Sequence, residues 1–261
     1  MPRAPHPFVD ATPFLPNATA LRGLADRDGY LFLPGAADPA IVATVRGKVA
    51  QVAARLGLLA APQPGETCLR ARLGARLTGT GYDDPRWLAL QQAILVDPDL
   101  LTLGDWPLVL QTLATLYGEP VQTRRGDIVR LALPQQPELT TPPHQDHFYV
   151  GGSPLVWTAW WPLVPCALPQ GPLVLWPGSH AGGLLPHQGA GAGRQGVADP
   201  DLPWHSSEMQ PGDVVLFACL TVHAALENRS PTLARVSADF RYQPVSHALS
   251  TVRVDGTNAR G

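Results

Sequence analysis

The spacing of apolar residues changes near Gly118, from helical periodicity before it to short apolar runs after it. In the N-terminal part, Val42, Val45 and Val49 recur every three or four residues, which predicts an amphipathic helix. Aspartate followed directly, or after one residue, by proline marks helix starts, because aspartate caps free N–H groups and proline fits the first turn. We therefore expect residues 1–120 to be mostly helical. The predicted starts are Asp38, Asp84, Asp97 and Asp105.

Beyond Gly118, short apolar runs are separated by proline and glycine, the pattern of strands joined by turns. Many short strands predict a sandwich or barrel. We expect an α+β, mainly β fold: a double-stranded β-helix (jelly roll, cupin-like) with the N-terminal helices packed on one sheet. The predicted strands are residues 31–34, 128–133, 144–150, 155–163, 172–176, 214–221 and 234–242.

No linker separates the helical and strand-rich parts, so we expect residues 1–261 to form a single domain. Its predicted parts are a helical layer over 1–120, a jelly-roll core over 121–245 and a loose tail over 246–261.

Three segments have no clear periodicity. Residues 1–20 are rich in proline and predict an extended arm, and residues 60–82 are irregular. Residues 182–206 predict a long glycine-rich loop. Long loops in compact domains are often lids over active sites. Plain surface disorder is an equally good interpretation of this segment.

Composition narrows the class of partner. The chain has 261 residues, 45% hydrophobic, and a formal net charge of −2, so no nucleic-acid or anionic-membrane surface is expected. The sequence has no run of 18 apolar residues, so no membrane helix is predicted. The N-terminus lacks the apolar stretch of a secretory signal. Three irregularly spaced cysteines favour free thiols in the cytoplasm. We expect a small-molecule ligand; the oligomeric state stays open.

The most informative chemical pattern is His144-Gln145-Asp146 together with the distant His223. On a strand, side chains two residues apart share a face, so His144 and Asp146 can converge on one point. His223 follows an apolar run after a Pro-Gly turn, and we expect it at the end of a buried strand. Two histidines and one carboxylate are the ligand set of non-haem Fe(II) oxygenases, which leaves coordination positions open.

With these residues, the chain resembles the phytanoyl-CoA dioxygenase family of Fe(II)/2-oxoglutarate-dependent dioxygenases. The similarity runs in order from about Leu24 to Gln243. The matching pieces are Asp28 to Gly35, His144-Gln145-Asp146, Ala159-Trp160, Gly171 to His180, Pro211-Gly212-Asp213, His223, Asn228-Arg229-Ser230 and Arg235.

The resemblance implies Fe(II), 2-oxoglutarate and O2 as cofactor and cosubstrates, with His144, Asp146 and His223 as metal ligands and catalytic residues. Arg235 is the expected anchor for the distal carboxylate of 2-oxoglutarate, since guanidinium binds carboxylate as a fork. Arg229 and Arg241 are fallback candidates. The family often has Ser or Thr two residues after the ligand histidine, where this chain has Ala225. Ser237 shares a strand face with Arg235, and we expect its hydroxyl to replace the missing polar contact at position 225. Trp160 and Thr158 are the remaining cosubstrate candidates.

The implied reaction is hydroxylation of a small organic substrate, such as a natural-product intermediate, amino acid or acyl compound, with release of succinate and CO2. Desaturation, epoxidation or cyclisation are alternatives, whereas the presence of Asp146 disfavours halogenation. A cupin-like metal enzyme without 2-oxoglutarate and a binding module without activity are the competing interpretations. Candidate substrate contacts are His147, Tyr149 and Arg130, with Arg124 and Arg125 beside them.

Overall fold

A computed structural model describes residues 5–123, 126–189, 195–198 and 203–248. Arg124, Arg125 and most of the predicted tail lie outside these residues. The helices are α1 (Ala18–Asp28), α2 (Pro39–Arg55), α3 (Pro85–Ile94), α4 (Pro98–Gly104), α5 (Pro107–Tyr117) and the short α6 (Asp146–Val150). The strands are β1 (Tyr30–Leu33), β2 (Leu69–Arg70), β3 (Val121–Thr123), β4 (Ile128–Ala132), β5 (Trp157–Pro162), β6 (Leu173–Leu175), β7 (Gln188–Gly189), β8 (Gln195–Gly196), β9 (Val214–Ala218), β10 (His223–Ala225) and β11 (Leu233–Pro244).

Three of the four predicted helix starts are confirmed as aspartate caps. Asp38 accepts the N–H of Ala40 at 2.9 Å, and Asp84 and Asp97 cap α3 and α4 in the same way. Helix α5 begins at Pro107, with Trp106 rather than an aspartate at its cap position. Aspartate therefore marks three of these ends through a direct hydrogen bond, as its capping chemistry requires.

The sequence pattern does not predict helix α1. The prediction of an extended arm over residues 1–20 is wrong in part, because a 3-10 turn and the start of α1 lie within it. Asn17 caps the helix by accepting the N–H of Ala20 at 3.0 Å. A short 3-10 turn, Thr12–Phe14, precedes it. The apolar stripe of α1 consists of Leu21, Leu24 and Ala25, which is too short to stand out beside the proline-rich segment.

The principal sheet is antiparallel and has the order β1-β9-β5-β11-β2, with β3 and β4 also paired to β11. Its outer face packs on the helices: Val236, Phe240 and Tyr242 of β11 belong to an apolar cluster that includes α2 to α5. Gly104 at the end of α4 permits this contact, because a Cβ there would lie 2.7 Å from Phe240 Cδ1. Strand β11 thus joins the helical layer to the sheet.

The second sheet pairs β10 with β6, and isolated bridges extend it from His144 to His223 and from Leu175 to His205. Between the sheets lies a second apolar cluster that includes Trp160, Val215 and Phe217. Two sheets enclosing their own core agree with the predicted jelly roll. Within the described residues, no helix is both long and apolar enough to cross a membrane.

Two strand predictions need correction at the site. Residues 144–150 do not form a strand: His144 makes a single bridge, and α6 begins two residues later, at Asp146. Phe148, Tyr149 and Val150 are consecutively apolar or aromatic, so they lack the alternation of a half-buried strand. Likewise, His223 does not end the strand before it. Strand β9 stops at Ala218, a turn follows, and His223 opens β10 in the other sheet.

Candidate active site

His144, Asp146 and His223 meet between the two sheets. The backbones of His144 and His223 exchange two N–H···O bonds, each 2.9 Å long, and their ring centroids lie 4.1 Å apart. One ligand atom from each of the three residues lies within 4.8 Å of the other two, and all three residues are buried. The grouping predicted from sequence therefore forms, through a bridge and a helix start in place of one continuous strand.

Hydrogen bonds orient both imidazoles. His144 Nδ1 lies 2.8 Å from the Pro142 carbonyl oxygen, and His223 Nδ1 lies 3.0 Å from that of Thr221. A carbonyl can only accept, so each Nδ1 carries a proton, and in the neutral ring the lone pair then lies on Nε2. Both Nε2 atoms lie 3.7 Å from Asp146 Oδ1. Two nitrogen lone pairs and one carboxylate oxygen thus face a common point.

The electrostatic state of the three residues suits a metal ion. Burial, and to a smaller extent the neighbouring His144, lower the pKa of His223 to about 3, so the imidazole is neutral. Burial opposes ionisation of Asp146, but Arg241 and the two histidines hold its pKa well below the ordinary value. A neutral imidazole and an ionised carboxylate are the forms that bind metals. The donor set therefore fits Fe(II).

Arg235 is a buried guanidinium without an anionic partner. Its Nη1 donates to Ser237 Oγ at 3.2 Å, its Nε has no hydrogen-bond partner, and no ion pair includes it among the described residues. Burial lowers the pKa of Arg235, because its charge is removed from water. Arg235 also lines a cavity of about 50 Å³. An unpaired buried charge is costly, so the arrangement calls for an anion.

The other predicted cosubstrate residues lie on the same inner face. Ser237 is fully buried beside Arg235, and Trp160 packs against Val215 and Phe217. Trp157 and Trp161, by contrast, belong to the helix-side cluster, as their alternation along β5 requires. Thr158 has a specific contact: its hydroxyl donates to Asp146 Oδ2 at 2.8 Å.

The fallback arginines have other contacts. Arg229 is an exposed residue whose Nε lies 2.7 Å from Glu227. Arg241 is buried and donates to Asp146 Oδ2 from Nε at 3.2 Å and from Nη2 at 3.1 Å. Ala225 has no polar side chain and so supplies no side-chain hydrogen bond. Its backbone N–H donates to the Thr141 carbonyl.

The three candidate substrate residues are placed differently from one another. The Tyr149 ring lies 5.5 Å from that of His144 and is 42% exposed, at the rim of the site. His147 is directed towards Cys219, with Nδ1 3.9 Å from the sulfur. Arg130 is paired with Asp239 at 2.6 Å and with the Tyr82 hydroxyl at 2.5 Å. The Tyr149 ring thus packs against the ring of a proposed ligand.

Sequence reasoning missed several contacts around the site. The Gln145 amide donates to the carbonyls of Gly183 and Leu220 and accepts the N–H of Leu185, which ties the following loop to the site. The His187 ring stacks on Phe148 with centroids 4.1 Å apart. The role of Arg241 had a signal: Arg235, Ser237, Asp239 and Arg241 alternate with apolar residues along β11.

A jelly roll with two histidines and one carboxylate at a common point is typical of non-haem Fe(II) oxygenases. The family model described as phytanoyl-CoA dioxygenase (PhyH) matches residues 25–236. A 1-deoxypentalenic acid 11-beta-hydroxylase from Streptomyces arenae is 32% identical over 257 residues, covering 92% of this chain and 86% of the relative.

Solved structures agree with the fold. The epimerase SnoN from nogalamycin biosynthesis, in complex with Fe3+, alpha ketoglutarate and nogalamycin RO, has a TM-score of 0.63 at 21% identity, covering 94% of this chain and 91% of its own. The carbocyclase SnoK has a TM-score of 0.56 at 19% identity, covering 93% and 87%.

The chain belongs to the phytanoyl-CoA dioxygenase family. It is a non-haem Fe(II)/2-oxoglutarate-dependent dioxygenase that acts on a small molecule. This excludes the competing interpretations of a binding module without activity and of a metal enzyme that does not use 2-oxoglutarate.

Proposed function

We propose that His144, Asp146 and His223 hold the ferrous ion through His Nε2 and Asp146 Oδ1. The observation that carries the proposal is their convergence, with both Nδ1 atoms already engaged by carbonyl oxygens. When bound, the iron supplies the redox chemistry that couples decarboxylation of 2-oxoglutarate to oxidation of the substrate by O2. The protein residues fix the ligand atoms before the ion arrives.

Arg235 binds the distal carboxylate of 2-oxoglutarate. Its unpartnered Nε, and the absence of an ion pair to it within the described residues, support this role, because an incoming carboxylate would satisfy both. Ser237 steadies the guanidinium through the 3.2 Å contact to Nη1. A charge-assisted hydrogen bond in a buried site is stronger than a neutral one, so the anchor favours a dicarboxylate cosubstrate.

Apolar walls keep water from the reacting groups. Trp160 and Phe217 are almost completely buried beside the site, and the Phe217 ring lies 4.5 Å from that of His223. Phe148 and Tyr149 lie towards the rim, where the Tyr149 hydroxyl contacts the Gln195 carbonyl. Exclusion of water strengthens the electrostatic contacts within the site and limits side reactions.

The substrate is a small, largely apolar carboxylic acid that is hydroxylated at carbon. Two observations support this substrate class. The relatives are named as hydroxylases of 1-deoxypentalenic acid. In this chain, the rings of Tyr149, Phe148 and His187 form an aromatic rim at the site. A second outcome, rearrangement of a ring or a stereocentre, is favoured by the names of the structural neighbours, an epimerase and a carbocyclase. Product analysis by mass spectrometry separates the two, since only hydroxylation adds an oxygen atom.

We also propose that the enzyme is one domain and acts in the cytoplasm without nucleic acid or membrane. Helices and sheet share one apolar cluster, which supports the single domain. All three cysteines, each within the described residues, are free thiols, as expected in a reducing compartment.

The proposal is tested by succinate formation from 2-oxoglutarate with anaerobically loaded Fe(II), followed by admission of air. Asp146→Ala and His223→Ala are expected to abolish succinate formation, because each removes one ligand atom. Thr112→Val serves as the control, since its buried hydroxyl donates to the Leu108 carbonyl within α5. Undiminished succinate formation by both ligand variants would refute the proposed site.

A further inference from the structure

The two oxygens of Asp146 have separate surroundings. Oδ1 faces the Nε2 atoms of His144 and His223, each at 3.7 Å. Oδ2 accepts three hydrogen bonds: from the Thr158 hydroxyl at 2.8 Å, and from Arg241 Nη2 and Nε at 3.1 and 3.2 Å. The carboxylate therefore has one oxygen towards the proposed metal position and one oxygen already saturated by protein donors.

Arg241 is held in place from more than one side. Its side chain is 3% exposed, and its Nη1 donates to the Gly126 carbonyl while the opposite edge contacts Asp146. Arg241 lies on β11 directly opposite Thr158 on β5. Directly opposed residues of an antiparallel pair share a face. The two donors to Oδ2 therefore come from neighbouring strands of the rigid principal sheet.

We propose that Arg241 and Thr158 are positioning residues that restrict Asp146 to a single donor oxygen, Oδ1. This inference rests on the proposed role of Asp146 as a metal ligand. A carboxylate can bind a metal through one oxygen or through both. A second oxygen on the ion would occupy a coordination position that the two-histidine, one-carboxylate site leaves open for other ligands. By engaging Oδ2, the sheet keeps that position free.

A purely structural role would predict different behaviour. If the Arg241–Asp146 contact only stabilised the fold, weakening it would lower the unfolding temperature and leave the metal site unchanged. Groups that orient a metal ligand affect affinity directly, commonly by about 10- to 100-fold when they are removed. Metal binding by the apoprotein therefore separates the two roles without recourse to turnover.

The test is titration of the apoprotein with Co(II), read by its visible absorption spectrum, and with Fe(II) under anaerobic conditions. Thr158→Val removes one donor without changing charge, and Arg241→Lys keeps the charge but lacks the planar fork. Both are expected to weaken metal binding about tenfold and to alter the Co(II) spectrum. Thr158→Ser, which retains the hydroxyl, should restore both properties, and Thr112→Val should match the wild type.

The possible outcomes are distinct. Wild-type affinity and spectrum in both Thr158→Val and Arg241→Lys, with changes confined to the unfolding temperature, would overturn the inference. If Arg241→Lys does not fold, Thr158→Val decides alone. Should His223→Ala and Asp146→Ala also bind Co(II) as the wild type does, the proposed metal site itself fails. Loss of binding in those two variants with none in the Thr158 and Arg241 variants refutes only the positioning role.

Discussion

The two faces of strand β11 differ sharply although their residues alternate along one segment. The outer face carries Ala234, Val236, Ala238, Phe240 and Tyr242, which pack with the helices. The inner face carries Arg235, Ser237, Asp239, Arg241 and Gln243, all of which are buried as well. Burial alone therefore does not distinguish core from site. The outer face stabilises the fold, whereas the inner face places charges where a metal ion and an anion can use them.

The largest effect on stability is expected on the outer face. Phe240→Ala leaves a cavity between β11 and α4, where Phe240 is 1% exposed, and should lower the free energy of unfolding by about 3–5 kcal/mol. Urea denaturation of the apoprotein measures this loss. Leu73→Ala is the control, because Leu73 is fully exposed. An equal, small change in the free energy of unfolding of both variants would show that Phe240 on the outer face contributes little to the stability of the core.

A substitution on the inner face should have the opposite profile. Arg235→Met removes a buried charge that forms no ion pair with any residue that the structure describes, and replacing buried charges by apolar groups is often neutral or stabilising. The apoprotein should therefore be at least as stable as the wild type. Affinity for 2-oxoglutarate should fall by about 1.5–3 kcal/mol, the range for hydrogen bonds to charged groups.

Calorimetric titration with 2-oxoglutarate under anaerobic conditions measures that loss. Arg229→Met is the matched control, because Arg229 is exposed and pairs with Glu227. Equal affinities in the Arg235 and Arg229 variants would remove Arg235 from the cosubstrate site.

The smallest predicted effect lies far from both faces. Asp38→Ala removes the cap of α2, where Asp38 accepts the Ala40 N–H, and should cost about 1 kcal/mol of stability. Asp38→Asn should retain most of the stability, since asparagine also caps helices. Thermal unfolding compares the two. A loss of 2-oxoglutarate affinity in Asp38→Ala would contradict the separation of stability from binding.

Local patterns were sufficient to predict much of the fold. Helix starts at Asp38, Asp84 and Asp97 follow from capping chemistry, which acts within three residues. The alternation along β5 also explains why Trp157 and Trp161 face the helices and Trp160 does not. Helix α1 was missed because its stripe is short, and the path of residues 144–150 was wrong because the contacts that determine it are distant in sequence.

The candidate site shows the same limit. His144, Asp146 and His223 could be grouped from residue type and order, but not the way in which they meet. The contact of Arg241 with Asp146 spans 95 residues, so no local pattern assigns it. Its neighbours on β11 suggest only a polar inner face. The partner of each charge on that face depends on sheet register, which the hydrophobic pattern alone leaves undetermined.

The central claim is that the three converging side chains hold Fe(II) beside 2-oxoglutarate. The most direct measurement is anaerobic addition of Fe(II) and 2-oxoglutarate to the apoprotein, followed by visible charge-transfer absorption of the chelate. The account predicts a saturable band in the wild type and in Thr112→Val, and none in His223→Ala. A band of the same intensity and the same midpoint in His223→Ala would contradict it.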